Sequence, residues 1–298
     1  MRTYLDCIPC FFKQALEAAR LAGVNDKAQK KILGEVAKAV PGFSLASSPP
    51  DMARMLYGIV RMATGKADPY REIKAKSNKL ALAVYGSLKD KVQRSRDRLL
   101  TAVELAIAGN IIDYGVKNSL DVGSELEKIL SNESKSIKKE EKRIFAYNNF
   151  KKSLDAAKSI LYLADNAGET VFDRILIEEI KALDKDKKIF YAVKEKPVIN
   201  DALIKDAIDC GIAGTATVLS SGSDAPGTVL ALCSAKFKSI FRKADMVISK
   251  GQGNFEALSR AKKRIFFLFM AKCPVVAGHV GCRLGDVILL CHPEHGGR

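Results

Sequence analysis

The spacing of apolar residues divides the chain into two halves. In residues 1–115, apolar side chains recur at intervals of three and four, with Ala, Lys, Glu and Arg between them. This period predicts amphipathic helices, and no stretch of this half alternates as a strand does. The helices are expected after Cys10 and over residues 26–40, 51–63, 69–88 and 92–108. Asp68 is expected to be the N-cap of the fourth helix, with Pro69 at its first position. The first half therefore reads as an all-helical domain.

The second half contains short apolar runs separated by helical periodicity. The runs cover residues 159–164, 188–193, 216–219, 246–249, 265–270 and 287–290, and the helices 169–182, 200–210, 226–237 and 252–262. Continuously apolar strands that alternate with helices indicate a parallel sheet covered on both faces. We therefore expect a three-layer α/β/α sandwich with a mostly parallel sheet.

A polar stretch rich in Lys and Glu lies between the two halves, at residues 116–157. It is predicted to be a helical connector. The predicted domains are thus residues 1–115, helical, and residues 158–298, an α/β domain that binds metal and phosphate.

Composition narrows the function classes only slightly. The chain has 298 residues, 47% of them hydrophobic, and a net charge of +15 from 49 basic and 34 acidic residues. The basic residues are interleaved with acidic ones and there is no Trp, which argues against a nucleic-acid surface. A positive field would steer anionic small substrates, but a lysine-rich soluble surface explains the charge equally well.

The expected compartment is the cytoplasm. The N-terminal residues lack the pattern of a signal peptide, and no run approaches the roughly 20 apolar residues of a membrane helix. Seven cysteines, an odd number, do not suggest a secreted disulfide framework.

Polar residues follow the first two predicted strands. Asp165 and Asn166 come directly after the first, and Gly168 allows a close turn into the next helix. Asp201 follows the second. Ligands of open α/β sheets bind at the carboxyl ends of the strands, and three hard oxygen ligands suit Mg or Mn. Locally, Asp165 and Asn166 read equally well as a helix cap.

Further polar groups are expected near this edge. Lys250 ends the fourth strand and is followed by Gly251, so the pair forms a candidate phosphate seat. The Gly-x-Gly there is a weak dinucleotide signal because the third glycine is missing. In the helical half, Asn110 could cap a helix or join the site. Lys74 and Asn78 share one helix face, which is either solvent-exposed or part of the site.

Cys7 and Cys10 form an early Cys-x-x-Cys. Two cysteines cannot complete a structural zinc site, and the motif precedes every predicted strand, unlike a thioredoxin motif. Buried structural thiols, a second metal site and a redox role all stay open.

Several stretches, in order along nearly the whole chain, resemble one known family. They are Cys7-Ile8-Pro9-Cys10, Asp68-Pro69-Tyr70 with Lys74 and Asn78, and the segments 106–113 (AIAGNIID), 165–169 (DNAGE), 196–201 (KPVIND), 249–256 (SKGQGNFE) and 272–277 (KCPVVA). Together they resemble the metal-dependent damage-control phosphatases, formerly domain of unknown function 89. The Cys-x-x-Cys resembles that of the prokaryotic and archaeal subfamily.

The resemblance implies a phosphatase that hydrolyses small phosphomonoesters with Mn, Co, Ni or Mg. It implies Asp165, Asn166 and Asp201 as metal ligands and Lys250 as a group beside the phosphate. The remaining residues expected at the phosphate are Gly168, Glu169, Gly251, Asn254, Asn110 and Asp113. We expect metal-activated water to attack, because Ala167 replaces the second Asp of the Asp-x-Asp of aspartyl-phosphate enzymes. The alternatives are a carboxyl methyltransferase that uses S-adenosylmethionine and a non-catalytic phosphometabolite-binding protein.

Overall fold

The computed structural model describes residues 1–110 and 144–292. The N-terminal helices are α1 Cys7–Leu21, α2 Asp26–Ala39, α3 Pro49–Thr64, α4 Arg71–Arg94 and α5 Arg98–Ala108. The later helices are α6 Tyr147–Ala156, α7 Glu169–Leu183, α8 Ile204–Asp209, α9 Ala235–Lys243, α10 Gln252–Leu258 and α11 Pro274–Val280. The strands are β1 Ser159–Leu163, β2 Lys188–Val193, β3 Thr217–Ser220, β4 Met246–Lys250, β5 Ile265–Met270 and β6 Val287–His292.

Side-chain caps set the start of several helices. Asn25 caps α2 by accepting a hydrogen bond from the Ala28 amide at 3.0 Å. Asp97 caps α5 in the same way through the Leu100 amide at 2.9 Å. The predicted start of α4 at Pro69 is wrong, because Asp68 accepts from the Tyr70 amide in a turn that precedes the helix.

The sheet has the order β3-β2-β1-β4-β5-β6. All neighbouring strands are parallel except β6, which is antiparallel to β5. The chain leaves β1 toward β2 on one side and reaches β4 on the other. The carboxyl ends of β1 and β4 therefore flank the switch point, where open α/β sheets bind ligands.

Alternating strand residues pack into two apolar layers. Tyr162 and Ile248 point into the core that includes α5 and α7, whereas Leu163 and Val247 point into the core that includes α9 and α10. The fold is an α/β/α sandwich, as the sequence predicts. A third core holds α1, α2 and α3 together. The predicted boundary near residue 115 lies outside the described residues.

Two predicted helices of the second half begin later than expected. The range 226–237 contains a short 3-10 turn at Leu230–Leu232, and α9 starts only after Ser234, whose hydroxyl accepts from the Phe237 amide. The helix expected from residue 200 starts at Ile204. Along the described ranges, no helix is both long and apolar enough to cross a bilayer.

Candidate metal and phosphate site

The residues after β1 and β2 meet in a short two-stranded pairing. Asn166 and Asp201 form an antiparallel bridge. The Ala202 amide donates to the Asp165 carbonyl at 2.8 Å, and the Ala167 amide donates to the Asn200 carbonyl at 2.9 Å. The backbone therefore brings Asp165, Asn166 and Asp201 together at the carboxyl edge of the sheet.

A strained turn delivers Asp201. The Asp201 amide donates to the Val198 carbonyl at 3.2 Å, which closes a tight turn. Within it, Ile199 has φ +38, a conformation that β-branched residues rarely adopt. Such strain costs on the order of 1–3 kcal/mol and persists where the surroundings enforce it. Here the strained residue, Ile199, belongs to the turn that positions the candidate ligand Asp201.

Hydrogen bonds fix the orientation of the Asn166 side chain. The Asn166 Nδ2 donates to Asp165 Oδ2 at 3.0 Å and to Glu169 Oε1 at 2.9 Å, which orients its carbonyl oxygen as the group that can bind a cation. Burial raises the pKa of Asp165 well above its usual range, and the carboxylates of Glu169 and Asp201 add to this rise. The Lys194 Nζ lies 3.5 Å from Asp201 Oδ2.

The space beside Asp165 fits a metal site. Gly251 at the end of β4 has φ +82, and a Cβ built there would lie 2.1 Å from Asp165 Oδ2. A glycine is therefore required for β4 to approach this carboxylate. Two mutually repelling carboxylates with an amide oxygen form a hard oxygen donor set, which fits Mg or Mn better than zinc.

Lys250, predicted as the phosphate seat, is 1% exposed. Its Nζ lies 3.0 Å from Glu169 Oε2 and 2.7 Å from Asp173 Oδ1. Tyr162 and Tyr191 donate to the two oxygens of Asp173 at 2.7 and 2.8 Å. Lys250 thus forms the centre of a buried charge network behind the ligands. The sequence carried a signal for Asp173, since it lies one turn after Glu169 on the apolar face of α7.

The helical half contacts the loop after β1, which carries the candidate ligands Asp165 and Asn166, through α4 and through Asn110 after α5. The Asn78 Oδ1 accepts from the Gly168 amide at 2.7 Å, and its Nδ2 donates to Asp206 at 2.8 Å. The Gly168 amide, expected to hold an anion, therefore donates to a side chain. The Asn110 Nδ2 donates to Glu169 at 3.0 Å.

The remaining predicted residues have definite places. Lys74 pairs with Asp68 at 2.7 Å and is buried, so the face it shares with Asn78 is not solvent-exposed. Asn254 is fully buried and donates to the Ala164 and Lys250 carbonyls, which ties α10 to β1 and β4. Asp113 lies outside the described residues.

A cleft of about 260 Å³ opens over Asp165 and Asn166. Its helical wall includes Phe11, Gln14 and Tyr57, and its sheet wall includes Glu256 and Lys272. Sequence reasoning gave none of these wall residues a role. Lys272 lies shortly after the end of β5, and this position at the carboxyl edge of the sheet is the sequence feature that could have indicated a role in the site. The other wall residues depend on how α1 and α3 pack, which no local pattern shows.

Cys7 and Cys10 lie in the first turn of α1, and neither forms a disulfide. Burial raises the pKa of both thiols, so they are not activated as thiolates. Over residues 1–110 and 144–292, no group of three or more His, Cys, Asp and Glu side chains is arranged to hold a metal ion. Among the described residues, Cys7 and Cys10 therefore have no His, Cys, Asp or Glu neighbours placed to complete a metal site.

Known proteins resemble the chain over nearly its full length. A family model described as the damage-control phosphatase ARMT1-like domain matches residues 3–288. A damage-control phosphatase of Pyrococcus horikoshii is 34% identical, over 97% of this chain and 98% of its own. One of Archaeoglobus fulgidus is 31% identical, over 95% of this chain and 96% of its own.

Two further similarities agree with this assignment. An uncharacterized protein of Methanocaldococcus jannaschii is 35% identical over 96% of this chain and 94% of its own. The crystal structure of a DUF89 family protein from Pyrococcus horikoshii superposes with a TM-score of 0.84 at 31% identity, covering 98% of this chain and 99% of that chain. The chain belongs to the family of damage-control phosphatase ARMT1-like domains.

Proposed function

We propose that the protein is a metal-dependent phosphatase that hydrolyses monophosphate esters of small metabolites in the cleft over Asp165. The observation that supports this proposal most is that Asp165, Asn166 and Asp201 meet at the carboxyl edge of the sheet, next to a cleft that also contains Lys272. Membership in a family named for damage-control phosphatases supports the reaction class.

The metal ligands in this proposal are Asp165, Asn166 and Asp201. A divalent ion such as Mn, Co, Ni or Mg would supply Lewis acidity toward a phosphoryl oxygen and lower the pKa of a bound water. The chain's own contribution is to keep two carboxylates close together, which Asn166 and the strained Ile199 turn achieve.

Positive charge for the phosphate comes, in this proposal, from Lys272, which lines the cleft. Its positive charge lowers the pKa of Asp165 and so partly opposes the rise that burial causes. Lys194 has the same effect on Asp165 and lies beside Asp201. Lys250 acts one layer deeper, because it holds Glu169, which in turn orients Asn166. Phosphoryl transfer depends mainly on such positioning and charge neutralisation.

We infer that water, rather than Asp165, attacks phosphorus. Asp165 is held by Asn166 and lies against Gly251, and Ala167 occupies the position of the second Asp of an Asp-x-Asp enzyme. A phosphorylated protein trapped by acid quench during turnover would contradict this inference.

The cleft favours a small substrate. Its volume of about 260 Å³ is close to the lower end of ligand pockets, roughly 300–1,000 Å³. Phe11 and Tyr57 close its helical side, and both are almost completely buried in the third core. A sugar phosphate or another small phosphometabolite suits this shape.

The test is phosphate release by metal-stripped protein from a panel of sugar phosphates, nucleotides and 4-nitrophenyl phosphate. We expect turnover only when Mn, Co, Ni or Mg is restored, and its loss in Asp201→Asn but not in the exposed control Asp209→Asn. A panel without turnover under any metal would contradict the proposal, and binding without turnover would indicate a non-catalytic binding protein. Methyl transfer from S-adenosylmethionine would point to the rival enzyme.

A further inference from the structure

Glu256 places a carboxyl group in the wall of the cleft, which also includes Asp165 and, from α1, Glu17. Glu256 belongs to α10, which begins directly after Gly251, the residue in contact with Asp165. Gln252, Gly253 and Glu256 all line the cleft. Four residues of helix rise about 6 Å, so Glu256 lies about one turn beyond the metal-facing end of this wall. Glu256 and Asp165 therefore line the same cleft at different points.

Glu256 is held in a fixed orientation. The Gln252 Nε2 donates to Glu256 Oε1 at 2.9 Å, while the Gln252 Oε1 accepts from the Lys272 amide at 2.9 Å. One amide side chain therefore links Glu256 to the backbone of the cleft lysine. This contact uses one oxygen of the Glu256 carboxyl group.

Burial favours the protonated form of Glu256. Burial raises its pKa to about 7, against smaller opposing effects of the Gln252 hydrogen bond and the Met1 ammonium. The Met1 ammonium also donates to the Glu256 carbonyl at 2.6 Å. From α1, the thiols of Cys7 and Cys10 face it, and their pKa values are raised as well. Burial and the nearby Arg260 lower the pKa of the Met1 ammonium to about 6, so this group is largely neutral at neutral pH. The raised pKa values keep both thiols neutral as well.

We propose that Glu256 is the general acid that protonates the leaving-group oxygen during hydrolysis, an inference that rests on the proposed phosphatase function. The bond between phosphorus and the leaving oxygen breaks, its electron pair stays on that oxygen, and the Glu256 proton converts it to an alcohol. Water forms the new bond to phosphorus. One water proton passes to solvent, from which Glu256 regains its proton, so the products are an alcohol and inorganic phosphate.

The test compares two leaving groups in wild type and Glu256→Gln. An alkyl phosphate such as glycerol 3-phosphate needs the acid, whereas 4-nitrophenyl phosphate releases a stabilised phenolate without it. General acid catalysis contributes about 10²–10⁴-fold. We expect Glu256→Gln to lower kcat for the alkyl ester at least about 100-fold and kcat for the aryl ester less than about fivefold. The exposed Glu72→Gln should leave both values unchanged.

Equal losses for both substrates, or no loss for either, would overturn the role of Glu256 while wild-type turnover upholds the phosphatase. Wild type inactive on both would overturn the phosphatase and this role together. A second measurement uses wild type alone. As pH rises through about 7, Glu256 loses its proton, so the ratio of kcat for the alkyl ester to kcat for the aryl ester should fall. A constant ratio of the two across that range would also overturn the proposal.

Discussion

Gly251→Ala is a sharp perturbation of the candidate metal site. The added methyl group would lie 2.1 Å from both the Cγ and the Oδ2 of Asp165 and 2.4 Å from its Oδ1. Real Cβ contacts are longer than 3.0 Å, so Asp165 must move by about 1 Å or more, or β4 must retreat. A functional site tolerates about 0.5 Å. The backbone adds strain of about 1–3 kcal/mol, because Gly251 has φ +82 and ψ 155, a region almost restricted to glycine.

The assay is Mn²⁺ binding by calorimetry together with thermal unfolding. Gly281→Ala is the matched control, since Gly281 has φ +79 with no atom within 4 Å of a built Cβ. We expect the control to lose about 1–2 kcal/mol of stability and keep its Mn²⁺ affinity. Gly251→Ala should lose more stability and bind Mn²⁺ at least about tenfold more weakly. Wild-type affinity in Gly251→Ala would refute the placement of the metal against Asp165.

Three other perturbations test the surroundings of the site. Lys250→Met leaves two buried carboxylates without their cation and should cost about 3–5 kcal/mol in urea unfolding, whereas the exposed Lys205→Met should have little effect. Asn78→Ala removes the acceptor of the Gly168 amide and should weaken Mn²⁺ binding by about 10–100-fold in calorimetry. Unchanged Mn²⁺ affinity would show that this contact does not position the loop that carries Asp165 and Asn166. Because the pKa of Glu256 is raised from 4.5 to about 7 in the fold, wild-type stability should decline relative to Glu256→Gln as pH rises from about 4.5 to about 7, and parallel profiles would contradict that shift.

The sequence could predict that the proposed ligands lie close together because the sheet topology determines their position. Once β1 and β2 were read as neighbouring parallel strands, the residues after them had to share one edge, and Asn166 and Asp201 form a bridge there. The apolar runs were sufficient for this step. They were not sufficient for helix starts such as α9, where Ser234 rather than periodicity sets the beginning.

Lys250 shows where reasoning from position stops. A lysine at the end of a strand lies near the ligand edge, but its side chain can point to either face of the sheet. In the structure it points to the face covered by α7, where Glu169 and Asp173 meet it. The face of the sheet to which a strand's last side chain points depends on the register of that strand. Which carboxylates it meets depends on how the covering helix is rotated about its axis. Neither can be read from a local motif.

The residues of the cleft wall could not be predicted from the sequence, for a different reason. Phe11 and Tyr57 belong to helices whose apolar stripes predict burial, and both are buried in the third core. That they also line the cleft over Asp165 follows from the packing of α3 against α10. Contacts between elements distant in sequence leave no periodic signal.

Asp165, Asn166 and Asp201 are proposed to hold one divalent metal ion. Calorimetric titration of Mn²⁺ into metal-stripped wild type and Asp201→Asn, with Asp209→Asn as control, tests this proposal most directly. We predict one Mn²⁺ per chain in wild type and control, and an affinity at least about 100-fold lower in Asp201→Asn, because loss of an outer-sphere partner alone costs about 10–100-fold. Equal Mn²⁺ affinity in all three proteins would contradict the account.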